Sequence, residues 1–319
     1  MNQRIKRVNI QQMMQRNTHV MYMYLFLLVM VIVSGVLDPD FLSVRNINNL
    51  ILSSLPIFIV SCAQMIILLM GDIDLSLGSI IGLVNVVFVM LMRPDQPFGY
   101  VTALLVALAV GTLCGFVNGF LITKLRLPSV IVTIATSNVF GGMALFACPV
   151  PGGKVHNLFS RFVMGRQGFP FPIVLMVLTL ITIYLLTSRS TFGMKVRAVG
   201  GNQFAAYTTG ISIARIKLTA YCLAGFLASL SAIFLTSQMR CSDATVGNSF
   251  TVNSLTVAVV GGTALSGSVG GVSGVIGGSF IIMIINNILN LINVSSFYQY
   301  VIQGLVLIFA LAISSKRKK

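Results

Sequence analysis

The chain has 319 residues, 56% of them hydrophobic and 8% charged, with a mean hydropathy of +0.95. A soluble domain of this length must show water more polar surface than that, so a water-dissolved enzyme or binding domain is excluded and lipid is the solvent. The net charge of +15 does not mark a nucleic-acid surface, because the basic residues gather at the termini and in a few short connections, where they report topology.

Residues 1–19 carry Arg4, Lys6, Arg7 and Arg16 ahead of an apolar stretch that starts at Val20. No small-residue cleavage site follows, so this reads as an uncleaved first membrane helix rather than a secretory signal. A bilayer core needs about 20 mainly apolar residues per helix. About ten segments fit: 20–37, 50–70, 77–92, 98–122, 129–147, 170–187, 217–237, 251–265, 269–290 and 297–314. The third and eighth are short, and the glycines from Gly261 to Gly278 point to a broken or re-entrant eighth helix. The expected fold is an all-α polytopic membrane protein. It forms a single transmembrane domain over 1–319, with a cytoplasmic segment at 1–19, helices within 20–314 and a basic tail at 315–319.

The basic residues test that count. With both termini cytoplasmic, only Arg45, Arg93, Lys154, Arg161, Arg166 and Arg240 of the 21 Lys and Arg fall outside. An odd number of spans would strand Lys316 to Lys319 on the outer face, against the positive-inside rule. Two connections exceed a turn. The outer one, 148–169, opens with Pro149, Pro151, Gly152 and Gly153 and is expected to fold over a pore mouth or meet a partner. The inner one, 188–216, holds the largest internal charge cluster and a stretch able to form a short surface helix.

Chemistry-bearing residues are sparse. Five cysteines (Cys62, Cys114, Cys148, Cys222, Cys241) lack metal-like spacing and read as small packing residues, and His19 and His156 alone cannot complete a metal site or a triad. All six acidic residues are Asp, and only Asp72 and Asp74 lie between two spans in a way that invites a role. They read either as helix capping at the start of the third span or as protonation sites of a proton-coupled carrier. Amides are more plentiful at depth: Gln64, Asn85, Asn118, Asn138, Asn286, Asn287 and Asn290. They suit either a path for a neutral, hydroxyl-rich solute or hydrogen bonding between helices. Glycines at four-residue spacing (Gly111, Gly115 and Gly119; Gly267 and Gly271; Gly270, Gly274 and Gly278) predict close helix packing. No Walker-type phosphate loop is present, so any ATP must be bound by another chain. Gly71 to Ser76 and Gly261 to Ser266 share a G-x-x-x-L-S frame, a faint echo of a duplicated half.

The stretch Gly71-Asp72-Ile73-Asp74-Leu75-Ser76-Leu77-Gly78-Ser79 resembles the GGIDLSVGS signature of the ribose-type ABC importer permeases. Leu127 to Thr133, Gly200 to Ile211, and Val260 through Gly274 to Asn287 agree with that family in the same order. The resemblance implies an inner-membrane permease that dimerises with a second copy or a relative, receives a sugar or similar neutral solute from an extracytoplasmic binding protein, and couples to cytoplasmic ATPase subunits that bind ATP and Mg. It also implies that Asn202, Ala205, Ala206 and Gly210, in the 188–216 coupling loop, contact the ATPase, their small size allowing close approach. Three departures stand out. Asp72 and Ser268 each replace a common glycine, and Gln203-Phe204 replaces a frequent Pro-Glu, which makes the ATPase contact less polar.

Overall fold

The computed structural model describes residues 18–92, 99–291 and 294–315, so the basic segment ahead of Thr18, Arg93 and the 316–319 tail lie outside the described residues. Regular structure within them is helical, with thirteen α-helices. In chain order these are α1 (Thr18–Leu37), α2 (Val44–Leu69), α3 (Leu77–Leu91), α4 (Gly99–Leu125), α5 (Ser129–Ala147), α6 (Asn157–Val163), α7 (Phe171–Tyr184), α8 (Thr191–Gly201), α9 (Gln203–Thr208), α10 (Ile213–Met239), α11 (Asn248–Val260), α12 (Val272–Leu291) and α13 (Ser296–Ser315). A π turn, Leu185–Arg189, extends α7.

Six of these are long and apolar enough to cross a membrane: α2, α4, α5, α7 with its π turn, α10 and α12. The protein is thus an all-α polytopic membrane protein. Its polarity is sorted for lipid: α1 exposes Leu25, Phe26, Leu28 and Ile32, whereas Gln64, Asn85, Asn118 and Thr133 are buried. In a bilayer an outward-facing polar group has no water to bond, so such groups turn inward.

At the centre stands α2. From Ser54 to Leu69 every residue is buried, so the helix is covered all round. It packs against α7, α8, α10, α11 and α12. Pro56 lies inside it, and Ser231 of α10 donates to the Pro56 carbonyl at 2.8 Å.

The most extensive pairing is between α4 and α10. Gly111 and Gly115 face Gly225 and the Tyr221 carbonyl so closely that a Cβ on Gly225 would collide with the Gly111 carbonyl oxygen. Close backbone approach of this kind replaces the hydrophobic drive that lipid-exposed helices lack. Gly225→Leu is expected to force the pair apart and cost about 1–3 kcal/mol. Thermal unfolding in detergent reads this, and an unchanged midpoint would refute the packing account.

Elsewhere the boundaries shift. The 50–70 span begins at Val44, and the 251–265 span ends at Val260, leaving 261–271 non-helical before α12. That break was anticipated from its glycines, but the predicted face of Gly267, Gly270 and Gly271 lies in it and not on a helix. Gly267 and Gly270 have positive φ, +89° and +149°, as turn residues. Only Gly274 and Gly278 keep the helix-packing role, against Gly261 and Val257. The 148–169 connection contains α6 and folds back on α10. Ser160 donates to the Ser237 carbonyl at 2.7 Å, and Arg240 donates through Nε to Ser160 Oγ at 3.0 Å.

Candidate functional site

Helix α2 ends in a glycine-terminated turn. Gly71 takes φ +78°, its N–H bonds the Leu68 carbonyl at 2.8 Å, and the Asp72 N–H bonds that of Ile67 at 3.3 Å. This is a Schellman ending, which needs a left-handed residue and so selects glycine. The next residue, Asp72, is buried and forms an ion pair with Lys217 in the second turn of α10, Nζ lying 2.8 and 2.9 Å from its two oxygens. Asp74 accepts from both the N–H and the hydroxyl of Ser76, at 2.8 and 2.7 Å, and Ser76 Oγ accepts from Asn118 of α4 at 2.7 Å. Ser129 of α5 bonds the Ile73 N–H at 3.3 Å.

The capping expectation is therefore corrected. Ser76 stands at the cap of α3 without a side-chain cap bond, and neither Asp lies in its first turn. Asp72 instead ties the break between α2 and α3 to α10, and Asp74 bonds Ser76 within the break, which Asn118 of α4 holds in turn. The Asp72–Lys217 ion pair also counts against the proton-carrier alternative, since both Asp72 oxygens are engaged by a cation. Gly78, the second glycine of the signature, lets α3 cross α11 at Gly247 and Thr251.

A second break follows α11 and repeats the geometry. Gly262 N–H bonds the Val259 carbonyl and Thr263 N–H that of Ala258, both at 2.9 Å, with Gly262 at φ +86°. The echo noted in the sequence is therefore out of register by one residue. Gly71 corresponds to Gly262, not Gly261, because the hydrogen-bonded turn and not the letter pattern defines the equivalence.

This second break is tied to the 188–216 connection. The half-buried Arg197 of α8 donates to the carbonyls of Ser268 and Gly270, each at 2.9 Å, and Ser268 N–H bonds the terminal carbonyl of α2 at Leu69, also at 2.9 Å. Burial pulls the Arg197 guanidinium below its ordinary pKa, and the two carbonyls offset that desolvation. Ser268 sits at φ +66°, the left-handed region that glycine, common here among the resembled permeases, occupies without strain. Gly200 meets the Leu69 carbonyl too closely for any Cβ.

Helix α9 follows. Asn202 caps it, accepting from Ala205 N–H at 3.0 Å, and Gly210 closes it in another Schellman turn at φ +82°. Ala205 is exposed, but Ala206 is 4% exposed and packs into this chain, so its small size serves internal packing and not partner approach. The outward surface of α9 is instead Phe204 and Tyr207, 77% and 69% exposed. Phe204 was expected to change only the polarity of the contact; its partner at i+3, Tyr207, is the signal in the sequence that marks a shared outward face.

The predicted amides part company. Asn85 donates to Thr236 at 2.7 Å and accepts from Asp243 N–H at 2.7 Å, Asn118 holds Ser76, and Asn287 exchanges two bonds with Asn46. These bind helix to helix. Asn138 lies exposed on α5, Asn290 accepts from Gln299, and Gln64 is fully buried with neither amide atom partnered among the described residues. Only Asn286 of the set lines a cavity of about 350 Å³. That cavity lies at the end of the bundle remote from α8, between the first half of α2, the end of α10, the start of α11, the second half of α12 and the start of α13. Its other amides, Gln238, Asn253, Gln299 and Gln303, were overlooked because they stand near predicted span ends. Pro56, Ile57, Phe250 and Met283 supply apolar wall, and no charged side chain lines it.

The family model described as "Branched-chain amino acid transport system / permease component" matches residues 46–311. The chain belongs to this permease family. The ribose import permease protein of Bacillus subtilis is 34% identical to it over 299 residues, 92% of each chain. The corresponding Escherichia coli protein is 29% identical over 92% of each. The L-arabinose transport system permease protein of Escherichia coli is 32% identical over 91% of this permease and 89% of its own length. No solved structure gives a significant match. The resemblance read from Gly71 to Ser79 thus extends along the chain, and the permease is a multi-pass inner-membrane protein.

Proposed function

We propose that this permease is the membrane subunit of an ATP-driven importer for a pentose or similarly neutral small solute. Its two ends are cytoplasmic, the chain crosses the membrane about ten times, and α1, α3, α11 and α13 make the remaining four crossings. Separate ATPase subunits bind ATP and Mg, an extracytoplasmic binding protein delivers the solute, and a second permease copy or relative completes the path. Alternating access follows when ATPase closure displaces α8 and α9.

The observation that carries this reading is the link from α8 to both helix breaks. Arg197 grips the 261–271 break and Gly200 abuts the end of α2, so a push on α8 reaches α2 and the break that follows α11 with little slack. The relatives' printed substrates, ribose and L-arabinose, are neutral, which agrees with the absence of charge from the cavity lining.

Phe204 and Tyr207 are the expected ATPase contacts. In proteoliposomes with the cognate ATPase and binding protein, Phe204→Ser with Tyr207→Ser is expected to lower ATPase co-purification and uptake together by about tenfold or more, since burying even one such ring is worth about 1.5–3 kcal/mol. Uptake that survives ATP depletion and collapses with a protonophore would refute the importer reading.

A further inference from the structure

The cavity at the outer end has an unbalanced hydrogen-bond inventory. Gln303 donates to Asn286 Oδ1 at 3.0 Å, and Gln299 donates to Asn290 Oδ1 at 2.8 Å and to the Val294 carbonyl at 3.3 Å, so these amides are held in place. Asn253 is different. It is 6% exposed, it lines the cavity, and its Oδ1 has no partner among the described residues. A buried carbonyl left without a donor is costly, which selects for an occupant that brings one. Gln238, exposed at the end of α10, stands at the mouth.

Charge limits the occupant further. A carboxylate or ammonium would lose its hydration here without meeting a counter-charge. A neutral molecule with several hydroxyls meets amide donors and acceptors interleaved with the apolar Phe250 and Met283. The volume falls within the roughly 300–1,000 Å³ of small-molecule sites.

We infer that this cavity is a binding site for one neutral polyhydroxylated molecule of monosaccharide size, enclosed by a single chain, with Asn253 Oδ1 accepting from a solute hydroxyl. The inference rests on the importer reading for its orientation and its solute class.

The test uses the permease assembled with its ATPase in lipid nanodiscs, with Cys148→Ser, Cys222→Ser and Cys241→Ser removing the partly exposed thiols. Ser249→Cys then places a reporter in the wall for a membrane-impermeant maleimide. Millimolar D-ribose or L-arabinose is expected to slow its labelling, and D-gluconate, which carries a carboxylate, is not. Labelling that ignores the sugars overturns the site and leaves the importer reading intact. Labelling blocked without sugar and restored in detergent identifies lipid as the occupant and also overturns it. Independently of the thiol variants, Asn253→Leu is expected to raise KM for uptake about tenfold while kcat changes little. An unchanged KM counts against the site. Absence of ATP-dependent uptake of either sugar by the unaltered assembly sinks the importer reading itself.

Discussion

Lys217→Met is expected to destabilise the permease by about 3–5 kcal/mol, because it leaves the Asp72 carboxylate buried without its cation. The pair is tight, at 2.8 and 2.9 Å, and both side chains are about nine-tenths covered. Replacing only one partner strands a charge. Replacing both removes the desolvation cost together with the attraction, so Asp72→Gly with Lys217→Met is expected to recover most of the loss. Thermal unfolding in detergent of the two single variants and the double variant gives the coupling directly. A double variant as unstable as Lys217→Met alone would mean that Asp72 was never stabilised by Lys217.

The second large effect concerns transmission. Arg197→Ala frees the carbonyls of Ser268 and Gly270 and removes two charge-assisted hydrogen bonds, each worth about 1.5–3 kcal/mol. The 261–271 break then moves independently of α8. ATP hydrolysis by the assembled transporter is expected to continue while uptake falls about tenfold or more, so the ratio of ATP spent to solute moved rises. Arg197→Lys is expected to fall between, because an ammonium cannot span two carbonyls as a guanidinium fork does. A residue that merely holds the fold together would lower hydrolysis and uptake in step, and that result would reject the transmission role.

These two cations show where local reading stops. In the linear sequence Lys217 and Arg197 are only two of the basic residues on the cytoplasmic side, and charge sign with span order is all that the positive-inside rule uses. Their partners lie 145 residues away at Asp72 and 71 away at Ser268. No periodicity connects positions so far apart. The replacement of the signature glycine by Asp72 was the nearest thing to a signal, since a carboxylate buried between helices requires a cation somewhere. Ala206 is the converse case: its small size was visible, but whether it faced a partner or its own chain depended on the packing of α9 against α8 and α10.

Membrane residence, helical class and membership of the ribose-type permeases were all legible in the linear order of residues. Lipid enforces the first two through hydropathy and segment length, and the Gly71 to Ser79 stretch carried the third. Glycine at the helix breaks was legible for the same local reason, a backbone that must turn left-handed. Folding alone decided which amides bond other helices and which line an open cavity. A hydrogen-bonding side chain has the same letters in either role, and only its neighbours in space determine whether Asn118 is satisfied by Ser76 or Asn253 is left waiting for a donor.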